Sequence, residues 1–86
     1  MNRRMLDRLM VLAVVKRNTH VVVAGVNIGR VFTEHHGTRQ WVAYTVQGEP
    51  LKALDTQLLF RTRYLAVRAL IEASEELLTK EQPLEK

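Results

Sequence analysis

Apolar and polar positions along the chain fall into segments with different periods. In the middle lie short runs rich in β-branched and aromatic residues, HVVVA at 20–24, IGRVFTE at 28–34 and QWVAYTVQ at 40–47. Their length, composition and bounding turns predict three strands. Gly25-Val26-Asn27 and His36-Gly37-Thr38-Arg39 read as the hairpin connections, so the strands form an antiparallel meander. From Thr62 the period lengthens. Ala66, Leu70, Ala73 and Leu77 recur at helical spacing, with Val67, Ile71 and Leu78 beside them. That stripe predicts a helix over 62–80, with Thr62 as its N-cap and Glu76 and Lys80 as an i,i+4 pair on the polar side. Residues 51–60 read as a loop that ends in a short fourth strand at 57–60.

Residues 1–16 admit two readings. Met5, Leu9 and Leu12 keep a helical spacing, which favours a helix over 3–14, whereas Leu12–Val15 also suits a strand. The expected fold is therefore α+β: a three-stranded antiparallel sheet, with a short fourth strand as an option, packed on a C-terminal helix. All 86 residues form a single domain: 1–16 helix or strand, 20–60 sheet, 62–80 helix, and 81–86 a frayed tail.

Alternation within the third run sets Trp41, Ala43 and Thr45 on one face and Val42, Tyr44 and Val46 on the other. Both sets are mostly apolar. A sheet with one wet face alternates polar and apolar residues. The C-terminal helix covers one face. The second face is then expected either to lie under residues 1–16 or to meet a partner, with Val42, Tyr44 and Val46 as the contact residues.

Composition narrows the chemistry. The chain has no cysteine, which excludes a disulfide scaffold, a thiolate metal site and a cysteine nucleophile. Ser74 is the only serine and sits in the helical stripe. His35 and His36 are strand neighbours that point apart, so with His20 they make no metal site. No Gly-rich phosphate loop is present. The expectation is a non-enzymatic protein with no metal, no cofactor and no small-molecule substrate. The start, MNRRMLDRLMVLAVV, superficially resembles a signal peptide. Asp7 and Arg8 interrupt it, and Lys16 and Arg17 follow where a cleavage site would stand. The uncharged run 9–15 is too short to span a membrane, so a cytoplasmic protein is expected, with no membrane partner.

Charge supplies the positive hint. The chain carries 13 Lys and Arg against 9 Asp and Glu, net +4. Residues 1–70 hold eleven basic and four acidic side chains; residues 71–86 hold two basic and five acidic. A basic body with an acidic tail attracts polyanions through the body. Arg61 and Arg63 flank the helix start, where exposed N–H groups add to their pull on a phosphate. Arg30, Arg39, Lys16, Arg17 and Lys52 are placed to line the sheet and its turns, with Trp41 or Tyr44 as a stacking surface. Trp41, just after a turn, reads first as a core residue.

The stretch 29–73 resembles a known arrangement. Trp41-Val42-Ala43 in the third strand, then Phe60-Arg61-Thr62, then Ala66, Ala69 and Ala73 on the helix are similar to the plant apetala-type DNA-binding domain. They are similar also to the arm-binding domain of tyrosine-type phage integrases, and short phage, plasmid and actinobacterial proteins look alike. The resemblance covers about half of the chain. It implies three antiparallel strands packed on one helix, with the far sheet face entering the DNA major groove through charged residues. Here that face is expected to carry Val42, Tyr44 and Val46 at its centre, which departs from the pattern. Two readings follow. The first is a DNA-binding accessory or regulatory protein of phage or plasmid type, contacting DNA through Arg30, Arg39, Arg61 and Arg63. The alternative is a protein-binding regulator or inhibitor, or a homodimer, joined through Val42, Tyr44 and Val46.

Overall fold

The structure, a computed structural model, describes residues 2–17, 19–33, 40–75 and 78. The chain opens with helix α1, Arg3–Leu12. Asn2 caps it: Met5 N–H donates to Asn2 Oδ1 at 2.8 Å, satisfying one of the donors a helix start leaves open. At Ala13 the backbone turns extended, and strand β1, Ala13–Lys16, follows directly. Residues 1–16 thus hold both alternatives in series. The switch falls where β-branched Val14 and Val15 replace the helix formers Leu9, Met10 and Leu12.

Strands β2 (His20–Val23), β3 (Val26–Thr33) and β4 (Trp41–Thr45) complete an antiparallel sheet in the order β1-β2-β3-β4. The fourth strand is therefore β1, at the N-terminal edge, and not 57–60. Ala24 and Gly25 both take positive φ between the paired residues Val23 and Val26. A two-residue hairpin turn of this kind matches the strand twist, and it moves the start of β3 to Val26, inside the stretch expected to be the turn.

Residues 46–60 wrap the far edge of β4. Thr45 N–H donates to Glu49 O, Leu51 N–H to Ala43 O, and Trp41 and Phe60 exchange a bond in each direction. Within this stretch β5 (Lys52–Ala53) and β6 (Thr56–Gln57) make a small hairpin of their own. Thr62 caps helix α2, Arg63–Ala73, accepting from Leu65 N–H at 3.1 Å. Helical bonding resumes beyond Ser74, where Leu78 N–H donates to Ser74 O. The expected pair Glu76–Lys80, Leu77 and the tail 81–86 lie outside the described residues.

One core joins all of this. Met5, Leu6 and Leu9 of α1 pack with Val21 and Val23, with Ile28, Val31 and Ala43, and with Ala66, Val67, Leu70, Ile71 and Leu78. Ala73, expected in the stripe, is exposed, because the buried face of α2 runs along Ala66–Leu70 and Val67–Ile71. Trp41 packs against the core, as its position after the turn suggests. Since α1 and α2 share this core and contact one another, both helices lie on the same side of the sheet. The N-terminal segment does not cover the second face. The mostly apolar second face made that alternative plausible, but the apolar positions Met5, Leu6 and Leu9 have a better-matched surface on Val21, Val23 and α2.

Candidate nucleic-acid interface

With both helices on one side, the other, open face of the sheet carries no helix among the described residues. Its membership follows from the register. Lys16 pairs with His20, His20 with Arg30, and Arg30 with Tyr44. Directly opposed residues in an antiparallel sheet point to the same face. Each of the four strands thus contributes one side chain to a single row across the open face. Adjacent members are about 4.8 Å apart, so Lys16 to Arg30 spans about 10 Å. Lys16 and Arg30 are exposed and His20 is half-buried.

A bulge makes this row possible. Between Val21–Gly29 and Val22–Asn27 the register shifts, so Ile28 is an extra residue on β3. Ile28 is buried, and both it and Gly29 turn toward the core. Asn27 Oδ1 accepts from Gly29 N–H at 3.0 Å and closes the bulge. Gly29 sits at φ +140°, and a Cβ there would run into the Tyr44 carbonyl oxygen. Only glycine fits. Past the bulge the alternation is reset, which sends Arg30 and Phe32 outward.

Arg30 is held in place by aromatic rings. Its guanidinium carbon lies 5.4 Å from the centre of the Phe32 ring. Phe32 stacks on Tyr44 at 5.4 Å with 14° between the planes. A guanidinium over a ring keeps its N–H donors free at the edge, so Arg30 is pre-positioned to bind an anion. Two shallow concavities adjoin the row. One, of about 300 Å³, is lined by Lys16, Arg17, His20, Val22 and Asn27. The other, of about 220 Å³, is lined by His20, Asn27, Gly29, Arg30, Thr45, Val46 and Gly48. They share His20 and Asn27, and among the described residues neither lining contains a carboxylate.

The sequence-predicted residues distribute unevenly over this surface. Arg30 lies at its centre. Arg39 lies outside the described residues. Arg61 and Arg63 are exposed at the start of α2, next to Phe60, which bridges Trp41. Trp41 and Tyr44 are three positions apart on β4, so Arg61 and Arg63 stand about 10 Å along the strands from Arg30, and α2 packs on the other face. Arg30 and the pair Arg61 and Arg63 do not converge. Among the expected partner-binding residues, Tyr44 is half-buried on the open face and Val42 is only 1% exposed. Val42 offers no contact surface. Val46 falls beyond the end of β4, in the turn closed by Gly48 N–H on Thr45 O. The three do not form an apolar patch.

His20 is the member of the row to which sequence reasoning gave no place on this surface. Lys16 and Arg17 were placed near the sheet without a position. The signal was the pair of runs AVVK and HVVV around Arg17-Asn18-Thr19, which together make a hairpin. Among the described residues, no group of three or more His, Cys, Asp or Glu is placed to hold a metal, and no helix is long and apolar enough to cross a membrane. Set against known proteins, the chain matches no family model, no curated protein and no solved structure.

Proposed function

We propose that this protein is a small non-enzymatic DNA-binding module, of accessory or regulatory type, that lays the open face of its sheet on duplex DNA. The observation that carries the reading is the Lys16–His20–Arg30 row, contributed by three strands, with no carboxylate among the described residues lining its flanks. A row about 10 Å long suits a major groove about 12 Å wide. Lys16 and Arg17 serve as phosphate contacts, and Arg30, steadied by Phe32, is the residue placed to reach a base edge. The resemblance to the apetala-type and integrase arm-binding domains points to the same face. The alternative, a protein contact through Val42, Tyr44 and Val46, loses its centre with the burial of Val42.

The test is binding to a mixed-sequence duplex followed by anisotropy over a range of salt. Affinity is expected to fall with salt at a log–log slope of about −0.9 per phosphate neutralised. Lys16→Ala and Arg17→Ala each flatten that slope by about one unit. Arg61→Ala and Arg63→Ala leave it unchanged, because α2 lies on the opposite face. Absence of binding at low salt, or a slope that responds to Arg61 and Arg63 but not to Lys16 and Arg17, rules out this surface.

A further inference from the structure

Lys16, His20 and Arg30 stand in register on three neighbouring strands, so His20 has a cationic side chain on either side of it. Both concavities of the open face include His20. The larger lies toward Lys16 and Arg17, the smaller toward Arg30 and Thr45. Asn27, the other residue they share, has its Oδ1 committed to Gly29 N–H, which leaves the amide N–H groups as the end offered to a ligand.

The polar side chains around the imidazole come from every neighbouring element on this face. Lys16 belongs to β1 and Arg17 to the turn after it, Asn27 and Arg30 to β3, and Thr45 to β4. Tyr44 of β4 follows Arg30 in the row. Helices α1 and α2 pack on the opposite face. Lysine and arginine are charged, and tyrosine neutral, between about pH 5 and 8, whereas an imidazole changes its charge there. Among the described residues of this surface, His20 is therefore the one whose charge responds to pH.

We propose that His20 takes up a proton from solvent when nucleic acid binds, so that the row carries three cations in the complex. The inference rests on the reading of the open face as a DNA surface. Its physical cause is the sign of the ligand. A phosphate drawn to Lys16 or to Arg30 lies beside the imidazole, and an opposite charge nearby favours the charged form. Binding and protonation then reinforce one another, since coupling between two sites is reciprocal. The complex holds more protons than the free protein, so affinity rises as pH falls through the imidazole range and drops as pH rises through it.

The test repeats the anisotropy titration of the full chain on the mixed-sequence duplex at about pH 5.5, 6.5 and 7.5, a range that brackets the ordinary imidazole. Affinity is expected to be about three- to tenfold tighter at the acid end. The log–log salt slope is expected to steepen there by about 0.9, for one further phosphate neutralised. His20→Gln keeps a hydrogen-bonding side chain without a titrating one, and is expected to lose both effects. His20→Lys fixes the charge, and is expected to bind at the alkaline end as tightly as the parent does at the acid end, with a flat pH profile. That arm stands even where His20→Gln folds poorly. His35 and His36, which lie outside the described residues, serve as the control: His35→Gln with His36→Gln is expected to leave the pH profile in place. Binding that depends on salt but not on pH overturns the proton linkage and leaves the DNA reading standing. A pH dependence that survives His20→Gln assigns the proton to another group and also overturns it. Absence of binding at every pH in low salt overturns the DNA reading itself, and the linkage with it.

Discussion

Gly29 shows how one residue sets the chemistry of a surface. Its missing side chain lets β3 pass against the Tyr44 carbonyl and lets Leu70 pack over it, with Leu70 Cδ2 3.2 Å from where a Cβ would stand. Its positive φ completes the bulge that turns Arg30 outward. Gly29→Ala is expected to lower stability by about 2–5 kcal/mol, combining backbone strain with a clash against backbone that cannot move aside. Urea unfolding followed by circular dichroism checks this. Leu54 offers the opposite case. It holds φ 58° in the β5–β6 turn and is almost wholly exposed. Leu54→Gly is expected to be neutral or to raise stability by up to about 1 kcal/mol, since the side chain buries nothing and glycine takes positive φ without strain.

At the level of elements, α2 carries the best-determined energetics. Its start rests on one side-chain bond, from Leu65 N–H to Thr62 Oγ1. Its hold on the sheet rests on Ala66, Val67, Leu70 and Ile71. Thr62→Ala is expected to cost about 1 kcal/mol, and Leu70→Ala about 2–5 kcal/mol, because Leu70 is fully buried between helix and sheet. Thermal melts of the two variants should keep that order. Val67 and Ile71 extend the contact, while Ala73 leaves the core. Ser74 then ends the regular hydrogen bonding, with its N–H donating to both Leu70 O and Ile71 O.

The whole molecule is asymmetric between its two sheet faces. The two helices and the main core pack on one. Lys16, His20, Arg30 and the stacked pair Phe32 and Tyr44 lie on the other, together with Val14, Val22 and Val42. Residues 1–70 carry nearly all of the positive charge, and the open face collects Lys16, Arg17 and Arg30. Phe32→Leu is expected to keep the fold while weakening DNA binding about threefold, since it removes the ring that steadies Arg30 without removing a charge. Anisotropy at fixed salt measures the effect. Its signature differs from that of Lys16→Ala: affinity drops and the salt slope stays the same.

Local chemistry was enough to place α2, its Thr62 cap, and three strands with nearly correct bounds. A broad apolar stripe and runs of β-branched residues are strong signals that need no partner. Net charge was likewise legible, and with it the class of ligand to test. Three things were decided only by tertiary structure. Residues 1–16 became a helix followed by a strand because Met5, Leu6 and Leu9 find α2 and β2 while Val14 and Val15 pair with β2. Simple alternation along 40–47 identified the open face of β4, but not that Val42 on it is buried. Arg30 joins Lys16 and His20 because a one-residue bulge at Ile28 resets the side-chain alternation of β3. A bulge shifts every later side chain to the opposite face, and no period read along one strand contains the partner strand that fixes where it falls.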